Sequence, residues 1–390
     1  MKTNIPYGRQ SISEEDIQSV ISVLHSDYLT QGPIVPKFEE MVKLYCGSKY
    51  AIASNSATSS LHLACLALSV GAGDIVWTSG VTFAASSNCA LYCGAEVDFV
   101  DIDPLTFNLC PSKLEAKLKR AKIKGRLPKV LIPVHLCGKS CDMNKIHQLS
   151  LEYNFKIIED ASHAIGGEYD ERKIGSCHLS DIVVFSFHPV KIITCGEGGM
   201  ALTNDQMLAE KMELLRSHGI TRSKDKLENQ SHGPWYYEQV ALGFNYRMTD
   251  IHAALGLSQL KKLDSFVKKR NKIASKYQDA LEALPIKFQK NCKASLSSYH
   301  LFVILLERVS SQNNHRNVFQ KLRDCGIGVN LHYIPVYLHP YYKKLGFKEG
   351  HCPEAENYYK NAISIPIYPS MRKQQQDYVI QTIANILEAS

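Results

Sequence analysis

No apolar run in this chain approaches the ~18 residues that a membrane-spanning helix requires, and the stretch Met1-Lys2-Thr3-Asn4 lacks the apolar centre of a secretion signal. Both absences lead to the expectation of a cytoplasmic protein with no membrane partner. No G-x-G-x-x-G follows a candidate strand, which argues against a nucleotide-binding oxidoreductase. Repeats and low-complexity tracts are missing. Charge of one sign is in short supply as well: the net charge is +7, too modest for a nucleic-acid footprint but compatible with an anionic substrate. Cysteine is present twelve times, yet metal-ligand spacing is not. The pairs Cys89/Cys93 and Cys137/Cys141 have no convincing second ligand set, and most others sit singly in apolar runs, as Cys65 does between Leu61 and Leu68. Buried reduced thiols, with no metal, are therefore expected.

What is there suits a soluble globular chain. The 390 residues are 45% hydrophobic and 21% charged, enough for two domains and a sizeable core. Short β-branched runs begin near residues 51, 75, 97, 130, 157, 182 and 199, and helical patterns separate them. Seven such strands predict a mostly parallel sheet with helices on both faces, an α/β fold. Ser11 or Ser13 caps a first helix whose buried stripe is Ile17, Val20, Ile21 and Leu24. Ser59 to Leu68, Thr82 to Cys93, Ser112 to Lys124 and Met143 to Tyr153 read as further helices, and the Lys-rich third of these as a solvated face. Arg222 to Trp235 reads as a mobile loop, and Ile251 to Leu284 as one long amphipathic helix with a basic solvated back. His300 to Leu305 and Gly328 to Tyr333 read as strands, and Asn317 to Cys325 as a helix. The expected organisation is an arm over 1–10, a large domain over 11–250, and a linking helix with a smaller C-terminal α/β domain over 251–390.

The chemistry concentrates between Ile157 and Gly199. Asp160 ends the run Ile157-Ile158-Glu159-Asp160, and Lys191 follows the run Phe185-Ser186-Phe187-His188-Pro189-Val190. Buried parallel strands deliver functional side chains at their carboxyl ends in this way. A lysine of depressed pKa can form an imine with an aldehyde, and a carboxylate opposite a pyridine nitrogen keeps that ring electron-accepting. Those are the two protein groups that pyridoxal phosphate needs most. Taken alone, the lysine reads as a surface residue and the aspartate as a strand-end cap; it is the whole set in this order that points to the site. Ser186 could reach a phosphate. So could the helix start Ser54-Asn55-Ser56-Ala57-Thr58-Ser59, which otherwise is an ordinary helix cap.

In this order, the segments resemble the sugar aminotransferases of the DegT/DnrJ/EryC1/StrS family, over nearly the whole chain. The matching stretches are Ile5-Pro6-Tyr7-Gly8-Arg9-Gln10, Tyr28-Leu29-Thr30-Gln31-Gly32-Pro33, Asn55-Ser56-Ala57-Thr58-Ser59, the Asp160 and Lys191 segments, Arg216-Ser217-His218-Gly219, Gly243-Phe244-Asn245-Tyr246-Arg247 and Asn330-Leu331-His332-Tyr333. The resemblance implies fold type I, with Lys191 and Asp160 catalytic and Ser186, Ala57 and Thr58 on the cofactor phosphate. Phe83 stacks on the ring or else is a core residue. His163 contacts the cofactor's phenolic oxygen or else orients Asp160. Asn245 reaches the phosphate from a partner subunit, implying a homodimer with shared sites, or else belongs to a helix start. Tyr7, with Arg9, touches substrate or lies in a solvated tail. The resemblance further implies substrate contacts from Asp27, Tyr28, Leu29, Thr30, Asn330, Leu331, His332 and Tyr333. The implied reaction moves an amino group, from glutamate, to C4 of a UDP-linked 4-keto-6-deoxy-N-acetylhexosamine in pseudaminic acid biosynthesis. Another nucleotide-linked ketosugar, C3 or dTDP-linked, or a sugar dehydration, is the alternative. A DNA-binding regulator on the same body finds no room before the helix near residue 11.

Overall fold

The computed structural model describes residues 4–290, 295–307 and 314–388. All seven expected strands are present: β1 (Tyr50–Ser54), β2 (Ile75–Ser79), β3 (Glu96–Val100), β4 (Val130–Ile132), β5 (Lys156–Asp160), β6 (Ile182–Ser186) and β7 (Gly199–Thr203). They form one sheet in the order β1-β7-β6-β5-β4-β2-β3. Only β7 runs against its neighbours; the other pairings are parallel. Strands β2, β4 and β6 are buried throughout, as expected of a sheet covered on both faces.

Helices α1 (Glu14–Leu24), α2 (Ile34–Cys46), α3 (Ala57–Ala67), α4 (Ala85–Tyr92), α5 (Pro111–Ile123), α6 (Met143–Tyr153) and α7 (Gln206–Arg216) follow in order. Helix α4 begins three residues later than the sequence pattern suggests, leaving Thr82 and Phe83 in the turn ahead of it. The segment expected as one long helix is two, α8 (Asp250–Leu260) and α9 (Leu263–Leu281), broken at Lys261 and Lys262. Expected as a strand, Gly328 to Tyr333 instead makes a single bridge, Asn330 to Ser364. Two-residue strands, Ile220–Thr221 and Glu238–Gln239, pair antiparallel at the base of the Arg222–Trp235 loop. Every described cysteine is a free thiol, and all but Cys93 and Cys325 are buried; Cys292 lies outside the described residues. No described helix is long and apolar enough to cross a membrane.

A second core gathers around a three-stranded antiparallel sheet of β8 (Ile286–Phe288), β9 (Phe302–Leu306) and β10 (Ala362–Ile365). Helices α9, α10 (His315–Asp324) and α11 (Lys373–Glu388) cover it through Ile273, Tyr277, Val318, Leu322, Val379 and Ile383. The early part of α9 belongs elsewhere: Leu263, Phe266 and Val267 pack into the core of the large sheet. A partition near residue 250 therefore stands as a proposal about folding units. The N-terminal arm is tied down, with Ile5 buried in the second core and bridged to Ile327.

The break between α8 and α9 has a physical reason. It lets Lys262 turn back onto Asp16 at 2.9 Å. Asp16, fully buried in α1, also accepts from Ser258 Oγ (2.6 Å), Gln259 Nε2 (2.6 Å) and the Ser13 N–H (2.9 Å). Burial alone would raise its pKa, but these donors outweigh burial and hold it below the usual value. A depressed carboxylate stabilises the fold above its unfolded pKa, near ~3.9, and loses that effect as pH falls through the native value. Asp16→Ala should destabilise the protein by about 2–3 kcal/mol at pH 7 in urea unfolding. The gap from wild type should shrink at pH 3; an equal gap at both pH values contradicts the assignment.

Candidate active site

Strands β5 and β6 lie side by side in parallel, with Asp160 opposite Val184. Asp160 therefore leaves the sheet beside the turn that follows β6. That turn is closed by backbone bonds from Lys191 N to His188 O and from Cys195 N to Phe187 O, both 2.9 Å. It presents Lys191 to the same cavity that Asp160 borders. The cavity measures about 800 Å³. Ile192 and Ile193, next in the chain, are buried in the core of the large sheet. Withdrawal from water pushes the Lys191 ammonium down to about 8, and the Asp160 carboxylate opposes that only in part.

The reversed strand β7 sets the other end of the cavity. Gly199 pairs with Ser54 on one side and Ser186 on the other. It thus sets Ser186 beside the start of α3, where Ser56 Oγ accepts from Ser59 N at 3.2 Å. The first turn of that helix leaves the N–H groups of Ala57 and Thr58 without intrahelical partners, an anion site in wait. Ala57, Thr58 and Ser186 all line the cavity. A Cβ on Gly199 would stand 2.4 Å from the Ala57 nitrogen, so only glycine lets the strand pass under this cradle. Arg216, from a motif with no assigned role, fixes the strand leading into it: its Nη1 reaches Ala53 O at 2.7 Å and Glu39 at 2.5 Å, while Glu39 accepts from Ala53 N.

Phe83 is 60% exposed and lines the cavity, which excludes the core reading. His163 donates to or accepts from Tyr333 OH at 3.1 Å. Burial, assisted by the nearby Lys191 ammonium, pushes it well below the ordinary histidine value, so it is neutral. Tyr7, Asn330, Leu331, His332 and Tyr333 line the same cavity. Asp27, Tyr28, Leu29 and Thr30 do not; all four are exposed, tied to the start of α8 by the Thr30–Thr249 bridge and the Asp250 N to Leu29 O bond. Asn245 is likewise exposed and outside the cavity lining of its own chain, and Thr249 caps the helix α8 that follows.

The profile of the DegT/DnrJ/EryC1/StrS aminotransferase family matches residues 10–384. The chain belongs to that family. It is 40% identical to the UDP-4-amino-4,6-dideoxy-N-acetyl-beta-L-altrosamine transaminase of Campylobacter jejuni (serotype O:23/36), covering 98% of each chain. Among solved structures it resembles Helicobacter pylori PseC, an aminotransferase involved in the biosynthesis of pseudoaminic acid, with TM-score 0.91, 30% identity and 100% of both chains covered. The PLP form of the sugar aminotransferase Spr1654 from Streptococcus pneumoniae matches at TM-score 0.89 and 30% identity, over 99% of both chains.

A DegT-family site with these residues fits pyridoxal phosphate: a desolvated amine, a carboxylate bordering the same cavity, an exposed aromatic ring at Phe83, and an anion cradle that a Cβ would fill. Sequence reading missed three parts of it. His300 lines the cavity, and its loop is held by the fully buried Arg270, whose Nη1 donates to the carbonyls of Tyr299, His300 and Ile367 at 3.0–3.2 Å. Ser162 donates its N–H to Asp160 Oδ1 at 3.1 Å, and Ser86 its hydroxyl to Oδ2 at 2.5 Å. Orientation of Asp160 thus falls to two serines and not to His163. The i, i+3 and i, i+4 placement of small hydroxyl residues around Phe83 was the only available signal.

Gly199→Ala must displace the backbone of Ser56 or Ala57. It should weaken pyridoxal phosphate binding at least tenfold, roughly, while costing about 1–3 kcal/mol of stability. Absorbance titration and urea unfolding measure the two effects; unchanged affinity would contradict the cradle.

Proposed function

We propose that this chain is a pyridoxal-phosphate-dependent aminotransferase acting on C4 of a UDP-linked 4-keto-6-deoxy-N-acetylhexosamine, with glutamate as donor, in pseudaminic acid biosynthesis. The observation carrying the reading is that Asp160 and the turn bearing Lys191 follow adjacent parallel strands and line one cavity with the α3 cradle. The substrate follows from likeness to the Campylobacter and Helicobacter enzymes, and the modest positive charge suits an anionic nucleotide-sugar.

In this reading Lys191 holds the cofactor, Ser186, Ala57 and Thr58 hold its phosphate, Phe83 covers its ring, and Asp160 faces its ring nitrogen. His163 serves its phenolic oxygen. When bound, pyridoxal phosphate supplies an aldehyde that takes up the amino group and a ring that accepts electrons. Lys191 does the proton work. With a pKa near 8 a substantial fraction of the amine is neutral at physiological pH, whereas an ordinary lysine near ~10.4 is almost wholly protonated. Neutral His163 can donate one hydrogen bond without adding a competing cation.

A second copy of the chain completes the site. Leu29 and Thr30, in the exposed stretch 27–30, bond to Asp250 and Thr249 at the start of α8, and exposed Asn245 precedes that start by a few residues and lies beside Asn55, whose Nδ2 reaches Asn245 O at 3.4 Å. A homodimer in which these residues serve the partner's cavity accounts for their exposure. The cytoplasm, where nucleotide-sugars are made and used, is the compartment this activity requires.

Lys191→Ala should abolish amino transfer while leaving the fold intact. Borohydride treatment of wild type with pyridoxal phosphate should place the tag on Lys191 by peptide mass spectrometry; a tag elsewhere sinks the assignment. Feeding UDP- and dTDP-linked 4-keto-6-deoxy sugars with glutamate should yield a UDP-linked 4-amino sugar by NMR. A product without nitrogen would favour dehydration, and amination at C3 or of the dTDP sugar alone a different transaminase.

A further inference from the structure

We propose that Thr82 and Ser86 form a one-way hydroxyl chain that positions the Asp160 carboxylate, which makes Ser86 a positioning residue of the site; the inference rests on the reading of Asp160 as the ring-nitrogen partner. Ser86 Oγ lies 2.5 Å from Asp160 Oδ2 and 2.6 Å from Thr82 Oγ1. An ionised carboxylate only accepts hydrogen bonds, and a serine hydroxyl has a single proton to give. The Ser86 proton is therefore committed to Asp160. At its other contact Ser86 must accept, so Thr82 is the donor there. Thr82 borders the cavity, and with its only proton spent its hydroxyl has acceptor capacity alone to offer there. Both hydroxyls are buried, so water does not compete for these bonds.

The arrangement leaves Asp160 little freedom. Oδ2 is held from the start of α4, and Oδ1 from the loop after β5 by the Ser162 N–H at 3.1 Å. Two donors from two separate elements fix both the tilt and the twist of the carboxyl plane. Of the two donors, Ser86, with Thr82 behind it, shares a short stretch of chain with Phe83, the ring-face residue. One turn of chain thus carries the aromatic cover and the carboxylate's anchor together. Hydrogen bonds to charged groups are the strong ones, and loss of one corresponds to roughly a 10- to 100-fold change in a binding constant.

The test uses full-length protein loaded with pyridoxal phosphate, with wild type, Ser86→Ala, Thr82→Val and Thr82→Ser. The readouts are the cofactor dissociation constant and the position and intensity of its visible absorption band, alongside the melting temperature of the unloaded protein. Ser86→Ala should bind the cofactor about 10- to 100-fold more weakly and alter the band, with little change in melting temperature. Thr82→Val, which keeps the volume and loses the hydroxyl, should move both readouts in the same direction by less, and Thr82→Ser should stay close to wild type. A Ser86→Ala protein with wild-type affinity and band overturns the inference and leaves the functional reading standing. Thr82→Ser as altered as Thr82→Val also overturns it, because shape and not the hydroxyl then matters. Should Ser86→Ala fail to fold, the two Thr82 variants decide the matter by themselves. Wild type that takes up no pyridoxal phosphate on Lys191 overturns the functional reading, and this inference with it.

Discussion

An amine withdrawn from water yet kept within reach of a carboxylate is the constraint on which the rest of this molecule depends. In water the Lys191 ammonium would be the stable form. Inside the cavity its charge costs enough solvation to bring its pKa to about 8. The folded state therefore binds this proton less well than the unfolded chain does. The penalty is fully present below about pH 8 and is relieved as pH rises toward the ordinary value near ~10.4. The surrounding fold has to carry that cost, and a large apolar sheet buried on both faces is what allows it to.

The sheet order explains how. Parallel strands β5 and β6 end at the same edge, so Asp160 and the Lys191 turn emerge together. The single reversed strand, β7, lies between β1 and β6 and brings the α3 cradle beside Ser186. Gly199 sits at the crossing point, where a side chain would strike the Ala57 nitrogen. Behind the cradle, the Arg216–Glu39 pair clamps both backbone groups of Ala53. Behind His300, Arg270 clamps three carbonyls. Arg270 in particular is spent on a loop that borders the cavity, where the backbone leaves regular structure and loses its ladder partners.

Much of this was legible from residues alone. Each of the seven strands begins within one residue of its apolar run, because a strand buried on both faces must be apolar along its length. Lys191 and Asp160 stood out because polar residues end such runs for a reason. The reversal of β7 was not legible, since a buried antiparallel strand has the same composition as a parallel one. Nor was the break at Lys261 and Lys262: the basic pair continues the helical pattern, and only the distant Asp16 shows why the chain turns. Ser86 was invisible because a small hydroxyl carries no signal until its partner, far along the chain, is known. For Asp27 to Thr30 and Asn245 the residues indicate involvement but not which copy's cavity they serve.

The most direct test of the central claim is the pH dependence of amine reactivity at Lys191. Unloaded protein can be pulsed with an acylating reagent across pH 6 to 11, with Lys191 labelling read by peptide mass spectrometry. A desolvated amine predicts labelling that rises through a midpoint near 8 and then levels off. A midpoint near ~10.4, shared with the surface lysines, would show an ordinary solvated ammonium and contradict the account.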